Sequence, residues 1–183
     1  MLTPDKQPAL PKTGRLAGID FGTARIGVAV CDPSQKWSSP LETRQCTAWT
    51  PEVPLAAADA EYFRQLVVSE QLVGWVVGLP LHASGDASEK SEQAVSFGNA
   101  LSQATELPVN WVDERFTTAA AREILNAGNL SAKKRKAALD KIAAQVILQT
   151  FLDSDRSRHH SERDHTLESV SYTHLTLPTI YSV

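Results

Sequence analysis

Cysteine and aromatic residues are scarce in this 183-residue sequence, and neither sign of charge dominates it. The two cysteines, Cys31 and Cys46, form no CxxC pair and build no disulfide framework, which indicates a reducing cytoplasm. The net charge of -3 comes from 18 basic and 21 acidic residues and gives no global sign of a nucleic-acid partner. Any site for a polyanion must therefore be local.

Long hydrophobic runs are also absent. No apolar stretch approaches the roughly 20 residues that a membrane helix needs, and none follows the plan of a signal peptide, so no membrane partner is expected. With 42% hydrophobic residues, the chain still has enough apolar side chains for a packed core. Its length suits one compact domain, which buries roughly 70% of the surface of the unfolded chain.

The two ends of the chain differ in composition from its middle. Residues 1–14 are rich in proline and show no hydrophobic period, so we predict a flexible leader. Residues 153–168 are polar and charged, which predicts a disordered tail. This leaves residues 15–152 as the working domain.

Residues 169–183 contain no Lys, Arg, Asp or Glu and change abruptly to a Thr- and Leu-rich pattern. The stretch from Val170 to Thr179 resembles the translation of an adapter sequence used in DNA library preparation. We interpret 169–183 as a gene-model or sequencing artefact and exclude it from the prediction of the fold. The alternative is a genuine edge strand or an exposed tail.

The middle of the chain alternates between strand and helix patterns. The predicted strands are two short ones around Phe21 to Arg25, one near Leu41 to Cys46, and the runs 72–81 and 109–115. The predicted helices are 58–71, one that starts with a cap at Asp86 and has Glu89 three residues later, 117–125 and 132–152. This order favours an α/β fold, with a central mixed β-sheet flanked by helices on both faces.

Asp20 follows Ala17, Gly18 and Ile19 directly, inside an apolar strand. An ionised carboxylate at that position must be paired or bound to a metal, because its burial alone costs several kcal/mol. The alternative is a turn-forming Asp whose side chain holds the loop that follows the strand.

Two further acids, Asp113 and Glu114, end the strand that begins at residue 109. Side-chain alternation places Asp113 on the same face as Trp111 and Arg115, and it places Glu114 on the opposite face with Val112. Strand ends are where α/β sheets carry their functional groups. A surface Asp113 paired with Arg115 is the alternative interpretation.

Asp140 lies on the apolar face of the last predicted helix. It shares that face with Ala143, Ala144, Ile147 and Phe151. A carboxylate on such a face is unexpected unless a function needs it. Lys136 can pair with it, but Lys four residues before Asp is the weaker orientation and contributes only a few tenths of a kcal/mol.

A cluster of basic residues around Asp140 supplies the local positive charge that the whole chain lacks. It consists of Lys133, Lys134, Arg135, Lys136 and Lys141. At a helix start these charges oppose the helix dipole, and a phosphate backbone would relieve that repulsion. The alternative is a solvated helix start.

Carboxylates from separate elements can meet at one end of such a sheet. Like charges raise each other's pKa, and a hard divalent cation such as Mg²⁺ or Mn²⁺ relieves the repulsion. Two such ions can activate a water and stabilise the leaving oxygen in phosphodiester hydrolysis. The acidic residues can bind a metal, and the basic residues can bind a nucleic-acid backbone. Together they indicate a nuclease.

Four motifs in order resemble the bacterial YqgF family, whose members are also called RuvX. They are GIDFGTARIGVAV (Gly18 to Val30), VVGLPLHASG (Val76 to Gly85), VDERFTTAAAREIL (Val112 to Leu125) and the spaced pattern from Lys136 to Leu152. The resemblance implies a ribonuclease H-like fold and a metal-dependent nuclease that matures the 5′ end of 16S rRNA in the cytoplasm. The expected partners are a nucleic acid, with pre-rRNA favoured and Holliday-junction DNA as the alternative substrate, and the pre-30S ribosomal particle. The protein itself is expected to be a monomer or a homodimer.

By position in these motifs, the resemblance implies that Asp20, Asp113 and Asp140 are the catalytic and metal-binding acids. Glu114 is the alternative or a supporting ligand at the second strand end. The predicted nucleic-acid-binding residues are Arg25, Arg115, Thr117, Lys133, Lys134, Arg135 and Lys136.

Two functions of other classes compete with the nuclease. Residues 20–23, Asp-Phe-Gly-Thr, also resemble the phosphate-binding hairpin of actin-like sugar kinases, but such kinases bind ATP between two domains of this kind and this chain supplies one. A non-catalytic RNA-binding module for ribosome assembly would keep Lys133 to Lys136 and would not require the acids. Both alternatives stay open at the level of the sequence.

Overall fold

The computed structural model describes residues 7–47, 49–80, 88–114 and 139–154. Its strands are β1 (Arg15–Phe21), β2 (Arg25–Cys31), β3 (Ser38–Gln45), β4 (Leu72–Leu79) and β5 (Val109–Asp113). Its helices are α1 (Ala57–Glu70), α2 (Glu89–Thr105) and the described part of a last helix, α3, over 139–154.

The five strands form one mixed sheet in the order β3-β2-β1-β4-β5. The first three strands are joined as antiparallel hairpins, because the loops between them are too short for a crossover. β4 and β5 run parallel to β1, since α1 and α2 return the chain across the sheet before each of them. The predicted mixed sheet is confirmed.

Two hydrophobic cores lie on the two faces of this sheet. On one face α1 and α2 pack through side chains such as Phe63 and Phe97. On the other face Ala144, Ile147 and Leu148 of α3 pack against the sheet. The flanking of the sheet by helices on both faces, and the apolar stripe predicted for the last helix, are thereby confirmed.

The start of α2 differs from the prediction. We expected a cap at Asp86 with Glu89 three residues later, but the N-cap is Ser88, and its partner in the capping box is Ser91. Both serine hydroxyls also donate to the carbonyl oxygen of Pro80, at 3.0 Å for Ser88. The first turn of α2 is therefore tied to the end of β4.

Residues 7–14 make specific contacts, although we predicted a flexible leader over 1–14. The side-chain amide of Gln7 pairs with both backbone groups of Trp111 at the edge of β5, at 3.2 and 3.3 Å. Leu10 packs against the α3 core, and Gln35 donates to the carbonyl oxygen of Pro11 at 2.8 Å. Contacts of a few individual side chains thus hold this segment in place. The prediction missed them because it used only the proline content and the lack of a hydrophobic period.

The remaining predicted segments lie at or beyond the limits of the described residues. α3 continues to residue 154, two positions into the tail predicted over 153–168. The predicted helix 117–125 and the segment 169–183 lie outside the described residues. Within the described part of the chain, no helix combines the length and the apolar composition needed to cross a bilayer.

Candidate active site

A pocket of about 380 Å³ opens where β1 and β4 end and β2 begins. Two faces of the sheet contribute to it, because α2 approaches from one side and α3 from the other. The pocket is lined by Asp20, Phe21, Gly22, Thr23, Ala24, Arg25, Pro80, Lys90, Gln93, Glu114 and Asp140.

Asp20 reaches the pocket from β1 on the face that α3 covers. Strand alternation sets this orientation, since Ile19 belongs to the core under α1 and α2 while Leu16 belongs to the core under α3. Gly27 lies directly opposite Asp20 on β2, so no side chain of that strand competes for the space.

Glu114 follows β5 and lies on the same face as Asp20. Its backbone N–H donates to the carbonyl oxygen of Leu79 at 3.1 Å, which extends the pairing of β4 and β5 by one step. A Cβ atom on Gly78 would stand 1.7 Å from Oε1 of Glu114 and 2.6 Å from Cδ1 of Ile147. The Glu114 carboxylate therefore occupies space that any side chain at position 78 would fill.

The strand register brings these two acids together. Ile19 of β1 pairs with Val77 of β4, which places Asp20 level with Gly78. Because Gly78 has no side chain, nothing on β4 separates the carboxylates of Asp20 and Glu114. The charge of Asp20 is accordingly one of the causes that raise the pKa of Glu114.

Asp113 takes the opposite face of the sheet from Glu114. Trp111, two residues before it, is buried in the core with α1 and α2, as the predicted alternation requires. Asp113 does not line the pocket, but its charge contributes to the raised pKa of Glu114. The acid of this strand end that lies in the pocket is thus Glu114, the alternative left open by the sequence.

Asp140 enters the pocket from the first described turn of α3. Nε of Arg25 donates to its Oδ2 atom at 2.5 Å, and the Asp140 side chain is only 16% exposed. α3 lies close to the sheet here, since a Cβ atom on Gly27 would stand 2.0 Å from the carbonyl oxygen of Asp140. Arg25 therefore orients the Asp140 carboxylate in this structure, while Lys136 lies outside the described residues.

Burial and mutual repulsion raise the pKa of two pocket acids. Burial, followed by the charge of Asp140, raises the pKa of Asp20 to about 6. Burial, followed by the charges of Asp20 and Asp113, raises the pKa of Glu114 to about 8, although Lys90 acts in the other direction. The pKa of Glu114 therefore lies well above that of an ordinary carboxylate.

These raised pKa values predict that the metal-free protein loses stability as the pH rises. Between about pH 4 and pH 8 the folded state binds more protons than the unfolded state, so the free energy of unfolding falls with pH. For Glu114 we expect a loss on the order of 2–4 kcal/mol between pH 5 and pH 8.5. Urea unfolding in the presence of a chelator measures it.

Glu114→Gln is the matched variant for this measurement, because the amide keeps the shape of the side chain and cannot ionise. We expect Glu114→Gln to be more stable than the wild type at pH 8.5 and to lose most of the pH dependence. A wild-type stability that rises over the same interval would contradict the assignment.

α2 contributes two lining residues that no sequence pattern singled out, Lys90 and Gln93. They lie one turn apart on the same face as Phe97, which stacks on Phe21 with 4.5 Å between ring centroids. The available signal was their position just after the GLPL strand, in phase with the buried stripe of the helix.

Six of the predicted nucleic-acid-binding residues fall outside the described residues and stay predictions. They are Arg115, Thr117, Lys133, Lys134, Arg135 and Lys136. Arg25 is the member of the predicted set that the structure places in the pocket.

The pocket acids provide oxygen ligands of the kind that a hard cation binds, but they do not form a complete metal-binding site. Among the described residues, no group of three or more His, Cys, Asp or Glu side chains lies close enough together to hold a metal ion. Asp140 is engaged with Arg25, which keeps its carboxylate occupied. The donor chemistry nevertheless fits, because these are oxygen ligands whose mutual repulsion a divalent cation would relieve.

The strand order and the helices on both faces define the ribonuclease H-like class of fold. A solved structure of T. thermophilus RuvC in complex with a Holliday junction substrate has a similar fold, with a TM-score of 0.51 at 15% sequence identity. The similarity covers 79% of this chain and 96% of that one.

The chain belongs to the RuvX family. The family model, described as Holliday junction resolvase, matches residues 14–154. A relative from Rhodopirellula baltica, named as a candidate pre-16S rRNA nuclease, is 45% identical over 156 residues, which is 85% of this chain and 86% of the relative. A relative of the same name from Paracoccus denitrificans is 39% identical over 145 residues, covering 79% and 87%. The match favours the nuclease over the actin-like kinase alternative.

Proposed function

We propose that the protein is a divalent-metal-dependent nuclease that hydrolyses phosphodiester bonds and matures the 5′ end of pre-16S rRNA. The observation that carries the proposal is the meeting of Asp20, Glu114 and Asp140 in one pocket, each from a different element of the fold. The names of the family relatives support the choice of substrate. The cysteine content supports a cytoplasmic location.

Asp20 and Glu114 would hold the metal, because Glu114 lies over Gly78 and Asp20 lines the same pocket from the neighbouring strand, level with that glycine. Burial and like charge raise the pKa of both acids, and a divalent cation would relieve this repulsion. Asp140 would join them when its ion pair with Arg25 opens. Asp113 would act on the site through its charge, from the opposite face of the sheet. A bound Mg²⁺ or Mn²⁺ would supply an activated water and stabilise the leaving oxygen.

The other pocket residues would position the nucleic acid. Arg25, if released from Asp140, would present its guanidinium to a phosphate, for which its planar fork is suited. The basic residues Lys133 to Lys136 would extend this positive surface along the helix that carries Asp140. The Phe21 ring, which also lines the pocket, contacts Trp49 and stacks on Phe97.

The experiment that tests the substrate compares two nucleic acids under identical conditions. Purified protein is incubated with a pre-16S rRNA fragment spanning the 5′ end of the mature RNA and, separately, with a four-way DNA junction. Each is tested with Mg²⁺, with Mn²⁺ and with a chelator. We expect metal-dependent cleavage of the RNA at the mature 5′ end.

Two other outcomes would overturn parts of the proposal. Cleavage of the four-way junction alone would make the protein a DNA resolvase, the activity that the description of the family model names. Binding of RNA without cleavage of either substrate under any metal would favour the non-catalytic assembly module.

A further inference from the structure

The first turn of α2 is held rigidly at the rim of the pocket. The hydroxyls of Ser88 and Ser91 both donate to the carbonyl oxygen of Pro80, the residue that follows β4. One and a half turns further along, Phe97 is fully buried and stacks on Phe21 of β1. These two attachments fix the direction in which the intervening residues project.

Lys90 and Gln93 lie between those attachments and line the pocket. Lys90 is exposed to solvent at its rim, and its charge reaches the site, since it lowers the pKa of Glu114 against the effect of burial. The Lys90 side chain therefore lies close enough to Glu114 to act on its charge and is accessible to a ligand from outside.

Among the charged residues that line the pocket, Lys90 is a cation that can bind a substrate. Its charged lining residues are three acids, Asp20, Glu114 and Asp140, and two cations, Arg25 and Lys90. Arg25 is already bound to Asp140. Within the described residues, Lys90 takes part in none of the ion pairs.

On the basis of the proposed function, we propose that Lys90 is a substrate-binding residue that holds a backbone phosphate of the nucleic acid against α2. Lys90 would act from the face of the sheet opposite to α3. The nucleic acid would then be bound on both sides of the pocket carboxylates. Lysine suits this task as a mobile point charge on a fixed helix. The Gln93 amide, one turn further, donates one N–H to Oε1 of Glu89 at 3.1 Å and would offer its second N–H to the neighbouring sugar or phosphate.

The test measures binding apart from cleavage. The affinity for the pre-16S rRNA fragment is determined in a chelator over a range of KCl concentrations, for the wild type, Lys90→Gln and Lys90→Arg. We expect Lys90→Gln to bind about 3- to 10-fold more weakly at low salt, with the slope of log affinity against log salt reduced by about 0.7–0.9. Lys90→Arg should retain the wild-type slope.

Lys36→Gln is the matched control, because it removes the same charge from an exposed residue beyond the opposite end of β2. It should leave affinity and slope unchanged. A Lys90→Gln slope equal to that of the wild type would overturn the inference. A Lys90→Gln variant that changed only the pH dependence of unfolding would also overturn it, since Lys90 would then act on Glu114 alone.

Failure of this inference and failure of the proposed function are distinguishable. A wild-type protein that binds the RNA and cleaves nothing refutes the nuclease and leaves the salt slopes to decide the role of Lys90. A wild-type protein that cleaves, with an unchanged slope for Lys90→Gln, refutes only the role of Lys90.

Discussion

Glu114→Gln is expected to lower the rate of RNA cleavage by at least about 100-fold, whereas Asp113→Asn should stay within about threefold of the wild type. The two substitutions make the same chemical change at neighbouring positions. They differ because Glu114 lines the pocket over Gly78 and Asp113 faces away from it. Single-turnover cleavage with saturating Mg²⁺ or Mn²⁺ measures both.

The pair of variants also controls for folding. Glu114→Gln removes a buried charge and should unfold at a higher urea concentration than the wild type at pH 8, so a loss of activity cannot be attributed to instability. Full activity in Glu114→Gln together with loss of activity in Asp113→Asn would contradict the assignment of Glu114 as the metal-binding acid. Asp113 would then be the metal ligand.

Gly78→Ala is expected to have the second large effect, a loss of activity of about 100-fold or more. The new methyl group would stand 1.7 Å from Oε1 of Glu114, so the carboxylate must leave its position beside Asp20. The atoms displaced are ends of flexible side chains, which limits the loss of stability to about 1–3 kcal/mol.

Gly74→Ala provides the control on the same strand and the same face. Its methyl group would meet Leu10 at 2.9 Å and Leu16 at 3.1 Å, which are side-chain atoms remote from the pocket acids. We expect a comparable loss of stability in Gly74→Ala with near wild-type activity. Equal losses of activity in the two variants would show that Gly78 acts only through stability.

The sheet and the acids were predictable because each left a local signal. The apolar run at 72–81 indicates a buried strand whatever its neighbours are, and the structure has β4 at Leu72–Leu79. Asp20 and Asp140 stood out because a carboxylate conflicts with the apolar pattern around it. The alternation that separates Asp113 from Glu114 was also correct, since it depends only on the period of a strand.

The features that the sequence did not reveal depend on contacts between distant segments. Which face of β5 carries the pocket is decided by α3 and by Gly78, both remote from Glu114 along the chain. Lys90 belongs to the site because two serines tie α2 to Pro80, and a lysine in a polar helix start gives no such signal. The contacts of Gln7 with β5 were hidden for the same reason.

Asp20, Glu114 and Asp140 would together form the metal-dependent hydrolytic site of this protein. The most direct measurement is cleavage of the pre-16S rRNA fragment by the wild type and by Asp20→Asn, each with Mg²⁺, with Mn²⁺ and with a chelator. We expect cleavage by the wild type with either metal and none with the chelator, and a rate about 1,000-fold lower in Asp20→Asn with either metal. Cleavage by Asp20→Asn at the wild-type rate, or wild-type cleavage that persists in the chelator, would contradict the claim.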